Sequence, residues 1–453
     1  MRKIIIICLA VAVTGCGIYK PYKRPQVKTD NLYGAGVETP DSTTIGNLSW
    51  QQIFTDPALQ ALIEQGLANN TDLQSAQWRV KEAEASLQSA RLAFLPSFSV
   101  APQGNVSSFD GAKPSWTYNV PLTASWEIDI FSKILNGKRK AKALYAQTQE
   151  YHQAVKTQLI AGIANLYYTL LMLDSQYEIS AQTASKWQES VETMRSLMKA
   201  GMTNNAGVSQ TEANYYAIRS SLQDILFSIR QIENSLASLL GDTPHGIERG
   251  KLSGQVVPQE LTIGVPVQLL ANRPDIKSAE FALTQAYYAT SEARSMLYPS
   301  LRLSGSLGWT NSIGMIVNPG NLLLSAAGSL TQTIFNAGAN RARVKIAKAQ
   351  QEEAKLAFRQ ALLNAGSEVN NALAQCQTAR NKATFRTSQI TSLETTVKST
   401  QLLMQHGSST YLEVLTAQQS LLAARLSQVT DKFDEIQGLI NLYHALGGGR
   451  DME

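Results

Sequence analysis

Apolar and polar side chains alternate strictly between positions 116 and 130. The even positions are apolar or aromatic: Trp116, Tyr118, Val120, Leu122, Ala124, Trp126, Ile128 and Ile130. The odd positions are mostly polar: Thr117, Asn119, Pro121, Thr123, Ser125, Glu127 and Asp129. Because successive side chains of a strand point to opposite faces, this pattern predicts a strand with one apolar and one polar face. Tryptophan and tyrosine near the ends of the apolar face are typical of strands that face a membrane.

Three other segments, 97–107, 300–310 and 321–335, predict strands of the same kind. The alternation is weaker in 97–107 and clear in 300–310, where one face carries Leu301, Leu303, Leu307 and Trp309. The sequence therefore predicts four membrane-facing strands. Four aromatic residues are predicted to face the membrane: Trp116, Tyr118, Trp126 and Trp309.

Long segments with a helical period follow the strands. Residues 138–200 contain no proline and a single glycine, and their apolar residues recur about every 3.6 positions. Residues 341–406 share the lack of proline and the single glycine. We predict one continuous helix in each segment, much longer than the helices of ordinary globular domains. Other helices are predicted over 207–240, 274–297 and 411–446.

The chain is a tandem duplication. Residues 67–72 match residues 270–275, and the match continues at an offset of 203 positions as far as Ser97 and Ser300. Later matches have an offset of 204, as for Ile130-Phe131 and Ile334-Phe335, and then 206. Repeats in one register indicate duplicated structural units. We therefore divide the chain into a first repeat at 50–240, a linker at 241–269, a second repeat at 270–446 and a tail at 447–453.

The first residues have the pattern of an export signal. Residues 1–15 combine an early Arg2-Lys3 pair with an apolar core, and Cys16 follows directly. A cysteine at this place resembles the acylation site of bacterial lipoproteins, so we predict cleavage before Cys16 and attachment of a fatty acid such as palmitate to it. The alternative is an ordinary signal peptide with an incidental cysteine. Residues 16–49 contain several prolines and predict an extended, lipidated tether.

Composition and motifs point away from enzymes and from nucleic-acid binding. The formal net charge is +5 over 453 residues, and no basic run is interleaved with aromatic residues. The four histidines are scattered: His152, His245, His406 and His444. Their spacing does not suit a metal site, so neither a metal nor a cofactor is expected. Two basic clusters begin the long helices, at 138–142 and 341–348, where contact with lipid headgroups is as plausible as simple solvation.

Four amphipathic strands require partners. A membrane barrel needs at least about eight strands, and an open sheet edge in lipid leaves backbone groups without hydrogen bonds. The chain must therefore associate, with each copy giving four strands to a shared barrel. The long helices, which share the same symmetry axis, are then expected to form a hollow helical cylinder.

Several motifs resemble the TolC/OprM-type outer-membrane efflux factors, and in particular their NodT-like lipoprotein subgroup. They are the segments 50–59, 266–280, 293–299, 407–418 and 445–449, and the resemblance covers the whole mature chain. It implies a mainly α homotrimer with a 12-stranded membrane β-barrel and a periplasmic α-barrel. It also implies an exit duct that binds a periplasmic adaptor protein and an inner-membrane RND-type transporter, and that passively conducts drugs or other small solutes out of the cell.

The same resemblance assigns roles to two turns and to one helix start. The turns are expected at the end far from the barrel, where they would meet the adaptor: Gly201, Met202, Thr203, Gly407, Ser408 and Ser409. Family members carry aspartates that line the closed periplasmic aperture, at the positions of Glu413 and Thr416. One acidic ring would remain here, and Ser409 replaces an arginine that helps to latch the aperture in some relatives.

Two other functions stay open on the sequence. One is a duct of a type I protein secretion system, which would use the same barrel. The other is a periplasm-spanning structural lipoprotein that conducts nothing. The four alternating strands favour a duct, because a scaffold needs no barrel.

Overall fold

A computed structural model describes residues 20–26, 32–33, 44–258, 263, 269–311, 321–406 and 410–450. The predicted signal peptide and several predicted site residues lie outside the described residues: Cys16, Gly407, Ser408 and Ser409. The described part is mainly helical, and its five strands form one sheet. No helix in the described ranges has both the length and the apolarity needed to cross a membrane.

In both halves short helices are followed by strands and then by two long helices. The first half contains α1 (Trp50–Ile53), α2 (Pro57–Asn69), α3 (Thr71–Leu92), β1 (Ser97–Val100), β2 (Gln103–Ser107), β3 (Ser115–Ile128), α4 (Lys133–Lys199) and α5 (Asn205–Leu239). The second contains α6 (Leu269–Asn272), α7 (Pro274–Ser295), β4 (Ser300–Thr310), β5 (Asn321–Thr331), α8 (Ala339–Gln405) and α9 (Tyr411–Ala445).

The three pairs of longer helices have equal lengths in the two halves. Helices α3 and α7 have 22 residues each, α4 and α8 have 67, and α5 and α9 have 35. In the hairpins, Ser97 lies opposite Ser125, and Ser300 lies opposite Thr331. Ser125 and Thr331 are therefore equivalent, and they lie 206 positions apart. The sequence match of Ile130 with Ile334, just beyond these strands, has an offset of 204. The chain between β4 and β5 is accordingly longer than the chain between β2 and β3.

Residues 97–107 form two strands where the sequence predicts one. Both strands pair antiparallel with β3, and the interruption lies at Ala101 and Pro102. The Ala101 N–H donates to the Pro121 carbonyl at 3.4 Å. Pro121 has no N–H to return that bond, and Pro102 has none of its own, so the ladder is broken between β1 and β2.

The strand predicted over 116–130 ends earlier, and the following helix begins earlier. The Asp129 carboxylate accepts hydrogen bonds from the N–H groups of Ile134 (3.0 Å) and Leu135 (2.7 Å). It therefore satisfies unpaired donors in the first turn of α4, which starts at Lys133 rather than at 138. Similarly, β5 ends at Thr331 rather than at 335, and α8 starts at Ala339, directly after Gly338 with its φ of 79°.

The chain divides into two compact units, each of which takes segments from both halves. One comprises Met1–Val27, Trp78–Glu150 and Lys277–Gln360, and it contains the sheet. The other comprises Lys28–Gln77, Tyr151–Ile276 and Ala361–Glu453. Its core includes large side chains that are almost completely buried: Phe54, Leu59, Ile63, Tyr167, Leu170, Leu171, Trp187, Met194 and Leu236.

The described part of the predicted linker is held in place by ion pairs. The Arg249 guanidinium contacts Asp174 at 2.5 Å and Glu233 at 2.6 Å, on α4 and α5. The hydrogen bond to Asp174, helped by Glu233, raises the pKa of Arg249 although its partial burial opposes this shift. Arg249 of the linker is therefore anchored to α4 and α5.

Candidate functional site

The sheet has one apolar and one polar face. Residues directly opposite each other on paired strands lie on the same face, and the register pairs apolar residues with apolar residues: Val120 with Trp309, Leu122 with Leu307, Trp126 with Leu303, Leu307 with Leu324, and Trp309 with Leu322. Many of these side chains are solvent-exposed in the single chain, among them Trp116 (73%), Trp309 (57%) and Leu324 (76%). An exposed apolar face of this extent indicates a surface that faces lipid or a partner.

The four predicted aromatic residues all lie on this apolar face. Trp116, Tyr118 and Trp126 occupy even positions of β3, and Trp309 lies opposite Val120 on β4. The Trp126 indole N–H donates to the Phe94 carbonyl at 2.8 Å. An apolar ring with a satisfied polar end suits the boundary between hydrocarbon and water.

The polar face consists mainly of small hydroxyl and amide side chains. Ser99 and Thr123 share a hydrogen bond of 2.7 Å, as do Ser306 and Ser325. The charged residues within the described strands are Glu127 and Arg302, which lie opposite each other on this face. Lys133 contacts the Glu127 carboxylate at 2.8 Å, and the Arg302 guanidinium lies 3.6 Å from it.

Both edges of the sheet are open in the described chain. β5 pairs with β4 alone, and β1 and β2 pair with β3 alone. The outer edges therefore present backbone donors and acceptors that have no strand partner within the sheet. In lipid such groups are too costly to leave unpaired, so the sheet is complete only after another strand is added at each edge.

Two backbone hydrogen bonds terminate α4 at the turn that connects it to α5. The Gly201 N–H donates to the Met198 carbonyl at 3.0 Å, and the Met202 N–H donates to the Leu197 carbonyl at 2.9 Å. Gly201 has a φ of 72°, which glycine adopts without the penalty of a Cβ atom. Met202 is 75% exposed. The three described residues of the predicted docking turns, Gly201, Met202 and Thr203, thus form a tight turn with an apolar tip.

The start of α9 presents the two predicted aperture residues on one exposed side. Glu413 and Thr416 are exposed, whereas Val414 and Leu415 are buried. The Thr410 hydroxyl donates to the Glu413 carboxylate at 3.3 Å, and the Thr416 hydroxyl donates to the Leu412 carbonyl at 2.9 Å. A carboxylate in the first turn also suits the helix dipole.

Packing fixes which side of α9 is exposed. Leu415 belongs to a buried cluster with Ala184 and Trp187 of α4 and with Ile218 and Leu222 of α5. Because residues three and four apart lie on one side of a helix, burial of Leu415 leaves Glu413 and Thr416 on the opposite side. The two predicted aperture residues therefore lie next to a core formed by three helices.

Ion pairs join α8 and α9, and sequence reasoning did not identify them. Arg386 contacts the buried Asp431 at 2.9 Å, and Arg380 contacts Glu435 at 2.9 Å. Closer to the start of α9, Arg425 contacts Glu394 at 2.7 Å. The partners are more than 30 positions apart, so no local spacing reveals them. They tie α9 to α8 along its length.

Residues 20–24 of the predicted tether contact α7. Arg24 donates two hydrogen bonds of 2.6 Å to the two carboxylate oxygens of Glu280. The Tyr287 hydroxyl donates to the Lys20 carbonyl at 2.7 Å, and the Tyr22 and Tyr287 rings meet edge to face at 5.7 Å. The chain is therefore fixed four residues after Cys16.

The two basic clusters have different surroundings. In the first, Lys140 pairs with Glu292 at 2.6 Å and the Arg139 guanidinium lies 5.6 Å from the centre of the Tyr288 ring, so protein groups already engage these cations. In the second, the cationic residues are exposed: Arg341, Arg343, Lys345 and Lys348. Only the second cluster presents a fully exposed basic surface of the kind that lipid phosphates attract.

The sequence matches the outer membrane efflux protein family over residues 62–242 and 265–448. The match includes most of both halves. Among proteins with similar sequences, the cation efflux system protein CusC of Escherichia coli K12 is 28% identical, and the alignment covers 99% of this chain and 99% of CusC. The probable outer membrane lipoprotein SilC of Salmonella typhimurium is 26% identical, over 99% of this chain and 98% of SilC.

A solved structure has the same fold. The open state of the Neisseria gonorrhoeae MtrE outer membrane channel superposes with a TM-score of 0.84 at 27% identity. The superposition covers 96% of this chain and 98% of MtrE. The arrangement of long helices and strands described above is therefore that of a known outer membrane channel.

Proposed function

The chain belongs to the outer membrane efflux protein family, and we propose that three copies of it form the exit duct of a tripartite efflux pump. In this pump a periplasmic adaptor and an inner-membrane transporter deliver solutes to the duct. The duct itself consumes no energy and carries out no chemical reaction. It conducts drugs or other small solutes across the outer membrane.

The observation that carries this proposal is the five-stranded sheet. Its exposed apolar face suits lipid, its hydroxyl-rich face suits a water-filled lumen, and its two open edges require further strands. Three copies, each with β1 and β2 acting as one strand, would give the 12 strands expected of this family. The relatives support the location, since SilC is named a probable outer membrane lipoprotein and MtrE an outer membrane channel.

Glu413 and Thr416 are the proposed aperture residues. They share the exposed side of α9, and a buried core fixes that side. In a three-fold assembly whose axis faces this side, three Glu413 carboxylates come together and favour cations over anions. CusC is named a cation efflux protein, which makes metal cations one class of solute to test beside organic drugs.

The turn at Gly201 is the proposed adaptor contact, together with 407–409. Its tip carries the exposed Met202, and a double hydrogen bond fixes its backbone. A rigid turn with an apolar tip is suited to binding between helices of a partner, because little conformational freedom is lost on binding.

Solute accumulation in cells tests the proposal. Deleting the gene in its host should raise the intracellular accumulation of fluorescent dyes and of metal cations, and the intact gene should restore the low level. If the protein were instead a protein-secretion duct, deletion of the gene would leave the accumulation of dyes and of metal cations unchanged. It would abolish the export of a protein. If the protein were a non-conducting scaffold, deletion would alter neither accumulation nor export. Unchanged accumulation, with or without a loss of protein export, would therefore refute the proposed efflux duct.

A further inference from the structure

The first turns of α8 carry a stripe of cationic side chains. Arg341, Lys345 and Lys348 are four and three positions apart, so they lie on one side of the helix. All three are exposed, and they lie within about 10 Å along the helix axis. The first acidic residue of α8 is Glu352, which comes after them. We call Arg341, Lys345 and Lys348 the α8 stripe.

Packing of α8 against α7 leaves the α8 stripe uncovered. The Thr290 hydroxyl of α7 donates to the Ala347 carbonyl at 3.0 Å, and Ala347 is buried. Ala347 lies about 120° around the helix from the stripe, so α7 covers a different side. Arg343 lies about 150° from the stripe, and its guanidinium is 3.8 Å from the Met296 sulfur. The exposed cations of this segment therefore lie on two different sides of α8.

The α8 stripe begins shortly after the apolar face of the sheet ends. β5 ends at Thr331, and Ile334 and Phe335, which follow it, are 95% and 85% exposed. Arg341 comes six residues after Phe335. An apolar strand followed by an aromatic residue and then by basic residues is typical of a chain that passes from hydrocarbon into the headgroup layer. That layer is about 5–8 Å thick in each leaflet, and long basic side chains can extend into it.

The charge of this side of α8 decreases with distance from the sheet. Lys355 and Arg359 continue the stripe at helical spacing, but Glu352 lies between them and the stripe. Lys355 contacts the Glu352 carboxylate at 3.4 Å. The positive charge is therefore concentrated at the end of α8 that is nearest the sheet, where lipid headgroups are expected.

The first repeat has no counterpart of the α8 stripe. At the offset of 204, Ala143 of α4 matches Ala347 of α8, and both alanines are buried. The equivalents of the stripe residues at this offset are uncharged: Gly137, Ala141 and Leu144. Because α4 forms a helix of the same length without these cations, the stripe is not needed to form the helix. Its charges therefore call for a role outside the duplicated fold.

We propose that the α8 stripe binds the phosphate groups of anionic phospholipids in the periplasmic leaflet of the outer membrane. Guanidinium and ammonium groups complement phosphate in charge and in hydrogen bonding. Each basic residue near a membrane surface strengthens its attraction to anionic lipid about fivefold. The inference rests on the proposed placement of the sheet in the outer membrane, and it adds the lipid class that surrounds the periplasmic end of the sheet.

Lipid titration of the purified, full-length protein in detergent tests the proposal. The probes are a fluorescent phosphatidylglycerol and a phosphatidylcholine with the same label, and fluorescence anisotropy gives an apparent Kd for each. We expect phosphatidylglycerol to bind about 10–100 times more tightly at low salt, because only this lipid has a net negative charge. The Arg341→Gln/Lys345→Gln/Lys348→Gln variant should lose most of this preference and still bind phosphatidylcholine. Salt at about 1 M should have the same effect by screening the charges.

Arg341→Gln and Arg343→Gln form a matched pair of single variants. Both remove one exposed arginine from the same turn of α8, but on different sides of the helix. Arg341→Gln should weaken phosphatidylglycerol binding about fivefold, whereas Arg343→Gln should change it little. Inorganic phosphate at the concentration of the lipid should not displace the lipid. Displacement would indicate a site for free phosphate ions and would overturn the proposal.

The outcomes separate lipid binding from other roles of the α8 stripe. A preference for phosphatidylglycerol that Arg341→Gln weakens and Arg343→Gln leaves intact supports the proposal. Equal Kd values for the two lipids, or equal losses in the two single variants, overturn it. If the triple variant keeps the lipid preference but dissociates on native gels, the stripe contacts another copy of the chain. If it keeps the preference but has an altered reversal potential in planar bilayers, the stripe lines the conduction path.

Both of these last results overturn lipid binding and leave the proposed duct intact. Absence of the unmodified protein from outer-membrane fractions would overturn the inference together with the proposed function.

Discussion

The packing of α9 determines on which side of the helix Glu413 lies. The carboxylate lies in the first turn of α9, where it would suit the helix dipole in any protein. The buried cluster around Leu415 additionally fixes it on an exposed side that it shares with Thr416. At the structurally equivalent place in the first half lies Gly207, whose N–H is capped by the Asn204 side chain at 3.0 Å. Of these two equivalent positions, only that of Glu413 carries a carboxylate.

Replacing Glu413 by glutamine should reduce cation selectivity. The amide is nearly isosteric with the carboxylate but is neutral, so the reversal potential in a salt gradient should shift towards zero. Trimer stability should change little, because Glu413 is exposed. Glu189→Gln, which removes an exposed carboxylate of α4, serves as the control. An unchanged reversal potential for Glu413→Gln would place the residue away from the conduction path.

The Gly201 turn can be tested with an isosteric pair of substitutions. Asparagine and aspartate both tolerate the left-handed region better than other residues, at a cost of about 1 kcal/mol relative to glycine. No atom lies within 4 Å of the position that a Cβ would occupy, so neither side chain clashes. Gly201→Asp should abolish efflux because it adds a charge at the proposed adaptor contact, whereas Gly201→Asn should retain most of the efflux. Equal efflux by both variants in drug-accumulation assays would argue against docking at this turn.

At the scale of elements, the hydrophobic pattern predicts a strand or helix correctly where one face of the element is apolar along its length. The alternation over 300–310 coincides with β4, because its outward residues are uniformly apolar. The break between β1 and β2 could not be read from that pattern, since it depends on Pro121 of the neighbouring strand lacking an N–H. Contacts such as Arg24 with Glu280, or Arg386 with Asp431, join distant segments and leave no periodic signal. The sequence therefore indicates the strands and helices, but not the ion pairs that connect distant segments.

Pairing of β3 with β4 depends on Gly308. A Cβ at this position would lie 2.3 Å from the Val120 carbonyl oxygen and 2.7 Å from Pro121 Cα, and both are backbone atoms that cannot move aside. Gly308→Ala should therefore destabilise the sheet by about 1–3 kcal/mol and lower the amount of protein in the outer membrane. Gly305→Ala, whose Cβ would lie 3.4 Å from the nearest atom, is the matched control. Equal membrane levels of the two variants on immunoblots would contradict this account of the pairing between β3 and β4.

At the scale of the whole molecule, membrane attachment has two independent elements. The sheet supplies an exposed apolar face, and Cys16 supplies the proposed acyl anchor. Because the sheet alone presents a large lipid-facing surface, the acyl chain should be accessory. A single acyl chain gives only modest membrane affinity compared with such a surface.

Cys16→Ala should abolish acylation while the protein remains in the outer membrane. We expect no incorporation of radiolabelled palmitate, and unchanged recovery of trimers from outer-membrane fractions. Cys376→Ala is the control, since that thiol is buried and should not affect labelling. Palmitate incorporation by the Cys16→Ala protein would refute the lipid anchor, and loss of the protein from the membrane would refute its accessory role.

The central claim is that three copies enclose a continuous water-filled path. Single-channel recording of the purified, full-length protein in planar lipid bilayers tests it most directly. The account predicts discrete conductance steps from trimers, with a cation-selective reversal potential in a salt gradient that decreases in Glu413→Gln. Bilayers that contain inserted trimers, yet show no conductance even with large applied voltages and with the Glu413→Gln variant, would contradict it.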